Sequence, residues 1–143
     1  MNTDVSYQSL VYPDQIDHNG HMNVQHYVGM FDKASWNYLA AFGFTPKYFS
    51  VQSKGFVART QTVTYHSEVM AGEIVTITTE CNSVGKTSIG LSHKMFGIGR
   101  DYIAAEMKLH IVQIDTKSRK GAPLPLDKVK AMKRAISGSD ANI

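Results

Sequence analysis

Cysteine is all but missing from this chain. Cys81 stands alone among 143 residues, so no disulfide can close within it, and a reducing setting, the cytoplasm, is the natural one. No run of about 18 or more apolar residues occurs, so no membrane-spanning helix is expected. The first residues, Met-Asn-Thr-Asp-Val-Ser, lack the basic region and apolar stretch of a secretory signal. Charge of one sign is scarce as well. Fifteen Lys and Arg against 12 Asp and Glu give a net charge of +3, and no basic stripe marks a nucleic-acid footprint. Repeats and low-complexity tracts are absent. The length suits one domain with a real core and is too short for two ordinary ones, so residues 1–143 are expected to form a single domain.

What is present divides into a helical front and a β-rich middle. Residues 5–11 read as a short strand that ends at Tyr12-Pro13-Asp14, where Pro13 removes a ladder donor. After a loop, Val24, Tyr27, Val28, Phe31, Ala34, Tyr38, Leu39 and Phe42 recur at helical spacing, and Gly43 is placed to stop the helix. Met30, Trp36, Ala40 and Ala41 are apolar off that stripe. Only Asp32 and Lys33 are charged, so the helix is expected to be buried on most of its circumference. A connection containing Pro46 and Gly55 leads to β-prone segments at 56–66, 74–81, 87–96 and 102–115. Turns at 82–86 and 97–101 separate the last three, which predicts an antiparallel meander. Residues 117–125 read as a basic, Pro-containing loop. Leu126, Val129, Met132 and Ile136 then give a last helix, with Lys128, Lys130, Lys133 and Arg134 on its polar face, and a frayed end over 137–142. The expected class is α+β: a curved antiparallel sheet of about five strands wrapped around one long helix. One sheet covers that helix from one side only, so a second subunit is expected to cover the rest.

The densest chemistry lies between the first strand and the helix, in Asp17-His18-Asn19-Gly20-His21-Met22-Asn23, with Tyr27 four residues on. A carboxylate, an amide and an imidazole stand at Asp17, Asn19 and His21, and Gly20 turns the chain between them. Unspent backbone N–H groups near Gly20 to Asn23, at the positive end of a helix, can polarise a carbonyl or hold an oxyanion. That combination points to acyl transfer, with hydrolysis its simplest form. Asp17 can attack a carbonyl or deprotonate a water, Asn19 can orient either, and His21 can share the base role or fix the loop. Gly20, Met22, Asn23 and Tyr27 would surround the substrate. The competing reading makes Asp17 a loop carboxylate or helix cap.

The chain resembles the hotdog-fold acyl-thioester hydrolases of the 4-hydroxybenzoyl-CoA thioesterase type along nearly its whole length. The shared features are the short first strand, the Asp-bearing loop, the long helix and the β-meander. The motif also resembles that of plant acyl-carrier-protein thioesterases, whose proposed catalytic Asp, Asn and His fall on Asp17, Asn19 and His21. Asn-Gly-His-Met-Asn is similar to the motif of small bacterial thioesterase-like proteins associated with carnitine and betaine metabolism. Some small acyl-CoA thioesterases carry a His seven residues after the Asp; here that position is Val24. The resemblance implies an acyl-CoA thioesterase, acting on CoA or acyl-carrier-protein thioesters without a cofactor, as a homodimer or homotetramer with its sites between subunits. An acyl-CoA hydratase of the same fold and a non-hydrolytic acyl-thioester-binding module are the rival readings.

Other candidates carry less. His18, His21 and His26 do not have zinc spacing. Cys81 sits in a β-prone run with no activating partner and reads as a buried structural thiol. Glu68 is a candidate second carboxylate, against a reading as a solvated strand-end acid. Arg59, Lys86, Lys94 and Arg100 are candidates for CoA phosphates, against ordinary surface charge. Tyr27, Phe31, Trp36 and Tyr38 suit an apolar, aryl or quaternary-ammonium acyl group, and suit core packing as well.

Overall fold

A computed structural model describes residues 5–141, with side chains to residue 136. In chain order the elements are β1 (Val5–Leu10), a 3-10 turn (Pro13–Gln15), α1 (Val24–Ala40), α2 (Pro46–Gln52), β2 (Lys54–Tyr65), β3 (Ile74–Val84), β4 (Ser88–Phe96), a second 3-10 turn (Ile98–Arg100), β5 (Ile103–Asp115) and α3 (Leu126–Ala141). The five strands form one sheet in the order β1-β3-β4-β5-β2. β1 runs antiparallel to β3, from Val5 opposite Thr78 to Leu10 opposite Ile74. The meander therefore holds for β3, β4 and β5 only. β2 lies at the edge beyond β5, and residues 66–73 carry the chain from that edge to β3 on the other side of the sheet.

By contacts the chain clusters into two compact units. The first takes residues up to Tyr38 together with Thr62–Thr79 and His93–Met107. The second takes Leu39–Gln61, Glu80–Ser92 and the residues from Lys108 onward. In the first unit α1 packs on the sheet through Tyr27, Met30, Phe31, Ala34 and Ser35, all buried. Phe31 stacks on the His93 ring of β4 at 5.7 Å between centroids. Full burial of a side chain this size contributes roughly 1.5–3 kcal/mol. The opposite face of α1 does not follow the expectation of all-round burial. Val24 and Trp36 are 55% and 42% exposed, and Gly29 and Ala40 are open too. A helix on one sheet has one well-covered stripe, and these residues lie off it.

The second unit contains α2, which the sequence suggests only as a connection. Thr45 caps it by accepting the Tyr48 N–H at 3.2 Å, Pro46 supplies the first-turn φ, and Ser53 closes it in a left-handed conformation. α2 brings Tyr48 and Phe49 against Phe44 and Phe56 in a cluster of edge-on and stacked rings. Lys128 of α3 lies over Phe44 and Tyr48, at 5.7 and 5.0 Å from the ring centres. It is not part of a solvated basic face; its charge caps an aromatic core. Leu126, expected on the apolar side of α3, is 75% exposed, while Met132 is fully buried. α3 continues through Ala141, past the point where fraying is expected. Residues 1–4 and 142–143 lie outside the described residues. β3 runs through Val84 and the hairpin closes with Gly85 N–H donating to the Ser88 carbonyl at 2.8 Å, so half of the turn expected at 82–86 is strand.

Candidate active site

The motif loop folds back on itself within five residues. The Asp17 N–H donates to the His21 carbonyl (3.1 Å), and the Gly20 N–H donates to the Asp17 carbonyl (2.9 Å). Gly20 has φ +87°, a left-handed value that glycine adopts without a Cβ penalty. Ile16 and Met22 pair across the turn as an isolated antiparallel bridge. The sequence Asp-His-Asn-Gly-His thus makes a closed turn that presents its side chains beside the start of α1.

Both oxygens of the Asp17 carboxylate are engaged. Oδ1 accepts the Asn19 backbone N–H at 2.8 Å, and Oδ2 accepts the Asn23 side-chain amide at 2.9 Å. The Asn23 Oδ1 in turn accepts the Gln25 N–H at 3.0 Å and so caps α1. One amide therefore ties the carboxylate to the positive end of the helix. The Asn23 amide first and the Asn19 N–H second hold the Asp17 carboxyl below its ordinary pKa; burial opposes them, and His21 and His18 add smaller lowering effects. The sequence suggests Asn19 as the orienting amide. It is the Asn23 side chain that bonds the carboxylate, while Asn19 bonds it through its backbone N–H and leaves its side chain exposed.

The backbone donors near the turn are mostly spent. Gly20 N–H serves the turn, Met22 N–H donates to Val69 (2.8 Å), and Asn23 N–H donates to Gln15 (3.0 Å). Of the four N–H groups from Gly20 to Asn23, only that of His21 has no protein acceptor among the described residues. Val24 N–H, at the head of α1, is in the same state. An incoming carbonyl oxygen would have these two to bind.

Beside the turn lies a cavity of about 350 Å³. His21, Met22, Val24 and Tyr27 form one wall, and Tyr65, His66, Ser67 and Glu68 form the other. Asp17 is not in either wall; it sits in the turn that carries His21. The Tyr27 and Tyr65 rings meet edge to face at 5.1 Å. The Tyr27 hydroxyl donates to the Ser67 carbonyl at 3.5 Å, so it braces the second wall instead of facing a ligand. Tyr102 braces the same segment by donating to the Glu68 carbonyl and the Glu73 carboxylate. Tyr65 and Ser67 were not legible as site residues, because they reach the cavity only through the crossing of the sheet at 66–73. Another depression, about 490 Å³, runs past Gln8, Ile74, Thr76 and Ile98, but Arg100 is the single charged side chain in it and no carboxylate, imidazole or thiol lines it.

The remaining candidates fall away from the cavity. Cys81 is buried, donates weakly to the Ser83 carbonyl, and has its thiol pushed up to about 11 by burial, so it is no thiolate nucleophile. Phe31 is core. Arg59, Lys86, Lys94 and Arg100 are exposed, with Arg100 over the Phe96 ring at 5.6 Å. Among the described residues no group of three His, Cys, Asp or Glu side chains stands where it could hold a metal ion, and no helix is long and apolar enough to cross a membrane.

Comparison with known proteins agrees with this architecture. A hypothetical protein of Staphylococcus aureus, solved in complex with CoA, superposes with a TM-score of 0.85 at 17% identity, covering 94% of this chain and 87% of its own. A 1,4-dihydroxy-2-naphthoyl-CoA thioesterase of Synechocystis gives 0.79 at 17% identity, with 90% and 95% covered. A DHNA-CoA thioesterase of Staphylococcus aureus gives 0.79 at 18%, with 99% and 93% covered. These likenesses establish the hotdog fold. No curated protein sequence matches the chain. The model of the thioesterase-like superfamily matches residues 11–136, from just after β1 through the motif loop and strands β2 to β5 into α3, and the chain belongs to that superfamily.

Proposed function

We propose that this single-domain protein is a cytoplasmic acyl-CoA thioesterase that hydrolyses its substrate to a free acid and CoA. The observation that carries the reading is the Asp17 carboxylate, bonded through Asn23 to the head of α1, in a turn that opens on an apolar, tyrosine-walled cavity. The superfamily and the CoA bound by the Staphylococcus aureus neighbour support the substrate class. Hydrogen bonds that favour the charged form make Asp17 reluctant to take a proton, so it acts as the nucleophile. It attacks the thioester carbonyl, whose oxygen is received by the His21 and Val24 N–H groups, and the CoA thiolate leaves. A free-thiol assay over short-chain, long-chain and aryl acyl-CoAs tests the reading. Thiol release supports it; hydration of an enoyl-CoA without thiol release identifies the hydratase; binding with neither identifies a binding module.

The same reading has the protein working as a homodimer, with pairs able to join as a tetramer. β2 is a twelve-residue edge strand whose residues 57–62 are all exposed, and Val24 at the head of α1 is exposed as well. Long unprotected edges and apolar helix faces invite a second copy. β2 ends at Tyr65, so pairing along it brings the partner to the rim of the cavity. Sedimentation at micromolar concentration is expected to give a dimer or larger; a stable monomer contradicts this assembly. Acyl-CoA affinity is also expected to fall as salt rises, because exposed phosphate contacts are screened over about 8 Å at physiological ionic strength. A titration series in 50 to 500 mM NaCl, roughly, spans the relevant screening lengths. An unchanged affinity there puts the weight on acyl burial instead.

A further inference from the structure

We propose that His66, held by Glu106, is the base that activates water in the second half of this reaction. The proposal rests on the thioesterase reading and adds a residue to it. Attack by Asp17 leaves a mixed anhydride, which only water can open, and a carboxylate now acylated cannot serve as its own base. An imidazole in the cavity wall is the group that can.

The geometry singles out His66 among the histidines. His93 is buried with both ring nitrogens bonded, Nδ1 to Thr79 and Nε2 to Ser35. His18, His26 and His110 are not in the wall; His21 is, with its Nδ1 against the Met22 carbonyl at 3.2 Å, but among the described residues no carboxylate pairs with its ring to steady an imidazolium. His66 lies in the wall, and its Nε2 is 2.8 Å from the Glu106 carboxylate. An ionised carboxylate only accepts, so Nε2 carries the hydrogen and Nδ1 presents its lone pair. Nδ1 has no protein partner among the described residues. The residue is registered on β5 twice, by its N–H to the Ala104 carbonyl at 2.8 Å and by its ring to Glu106 two positions along. This is the only His–carboxylate pair among the described residues. Both side chains keep about two fifths of their surface open (41% and 40%), which lets water reach the ring.

The step balances. Water gives a proton to Nδ1 as its oxygen bonds to the acyl carbon. The anhydride C–O bond breaks and returns the Asp17 carboxylate. The acid product and the imidazolium then lose their protons to solvent, one of which neutralises the departed thiolate. Glu106 is a positioning residue that fixes the tautomer and steadies the imidazolium, in the manner of the third member of a nucleophile–base–orienter set.

Rapid-quench kinetics with the fastest acyl-CoA of the panel separate the two halves. In His66→Gln, a burst of one thiol per site is expected, with acid formation slowed at least ~10²-fold and the acyl group recoverable on the Asp17 peptide by mass spectrometry. Added imidazole is expected to restore part of the acid formation in His66→Ala. Glu106→Gln is expected to keep the burst and lose less of the acid rate. Thiol and acid falling together without a burst, or both unchanged, overturn the proposal; the second result leaves His66–Glu106 a surface ion pair only. Failure of the broader reading looks different: the unaltered protein then releases no thiol from any member of the panel.

Discussion

Asp17→Asn is expected to lower turnover of the best acyl-CoA by at least ~10²-fold and, combined with His66→Gln, to remove the thiol burst of that variant. The amide keeps the size of the side chain and loses the charge that makes it a nucleophile. Its effect on the turn follows from the hydrogen bonds. Asn19 N–H and the Asn23 amide both donate to the carboxylate, and an Asn side chain has one acceptor atom where the carboxylate has two. With its oxygen toward Asn19, it sets an NH₂ against the NH₂ of Asn23. Asn23 cannot turn its oxygen to meet it without giving up the cap on Gln25. A modest fall in melting temperature is therefore expected beside the loss of activity. Asn19→Ala is expected to do little, since only its backbone is used. Asn23→Ala keeps the charge and removes its anchor, so it should cost less than Asp17→Asn in rate and more than Asn19→Ala. Near-full hydrolysis by Asp17→Asn, with His21→Ala inactive and folded, sinks the assignment. The imidazole would then be the catalytic group and Asp17 a structural member of the turn.

The hydrophobic periods of α1, β4 and β5 were plain in the sequence because each element has one buried face and a regular repeat. Ile89, Leu91, His93 and Met95 share the buried side of β4 as their alternation implies. The sheet order was not legible. β2 and β3 are neighbours in sequence, and only tertiary contacts send residues 66–73 across the sheet and put β2 beside β5. The same crossing makes the second wall of the cavity, so Tyr65, His66 and Ser67 could not be placed in the site from local pattern. α2 was missed although Thr45-Pro46 is a cap followed by a first-turn proline; seven residues are too few for a periodic signal. The closed turn around Asp17 was legible as a group because a turn and a helix cap are local events. Which amide bonds the carboxylate was not, because either amide lies within reach of Asp17 in a linear reading and only the return of the chain at Gly20 separates them.

Stability is expected to fall as pH drops from about 6.5 to about 4, through His93 alone among the histidines of the core. His93 is 1% exposed, and burial lowers its pKa from the usual 6.5 to about 4. Its bonds fix a neutral tautomer. Ser35 gives its hydrogen to the Phe31 carbonyl (3.0 Å), so it must accept from Nε2–H at 2.8 Å. Nδ1 is then an acceptor and takes the Thr79 hydroxyl hydrogen at 2.7 Å; the Ser6 hydroxyl lies 2.7 Å from that of Thr79 and has the Ile77 carbonyl at 3.1 Å as an acceptor. A second ring proton would place a charge in this buried site, and that burial is what lowers the pKa. The folded state therefore refuses a proton that the unfolded chain binds below 6.5, and a depressed pKa of this kind gives stability that is complete above 6.5 and lost on the way down to 4. The gap of about 2.5 units corresponds to roughly 3 kcal/mol at ~1.36 kcal/mol per unit. Asp17 and Asp115, whose pKa values are also lowered, act in a separate window below their usual 3.8, with Asp115 reaching about 2 chiefly through the Ser118 and Lys117 N–H groups. Urea midpoints at pH 7 and pH 5 are the measurement, on the unaltered protein and on His93→Gln, which keeps a donor and an acceptor but does not titrate. The variant is expected to be less stable at pH 7 and to lose about one proton of pH dependence between the two conditions. Equal slopes in the two proteins would take the acid sensitivity away from His93 and leave the buried chain from Ser6 to Phe31 a packing feature only.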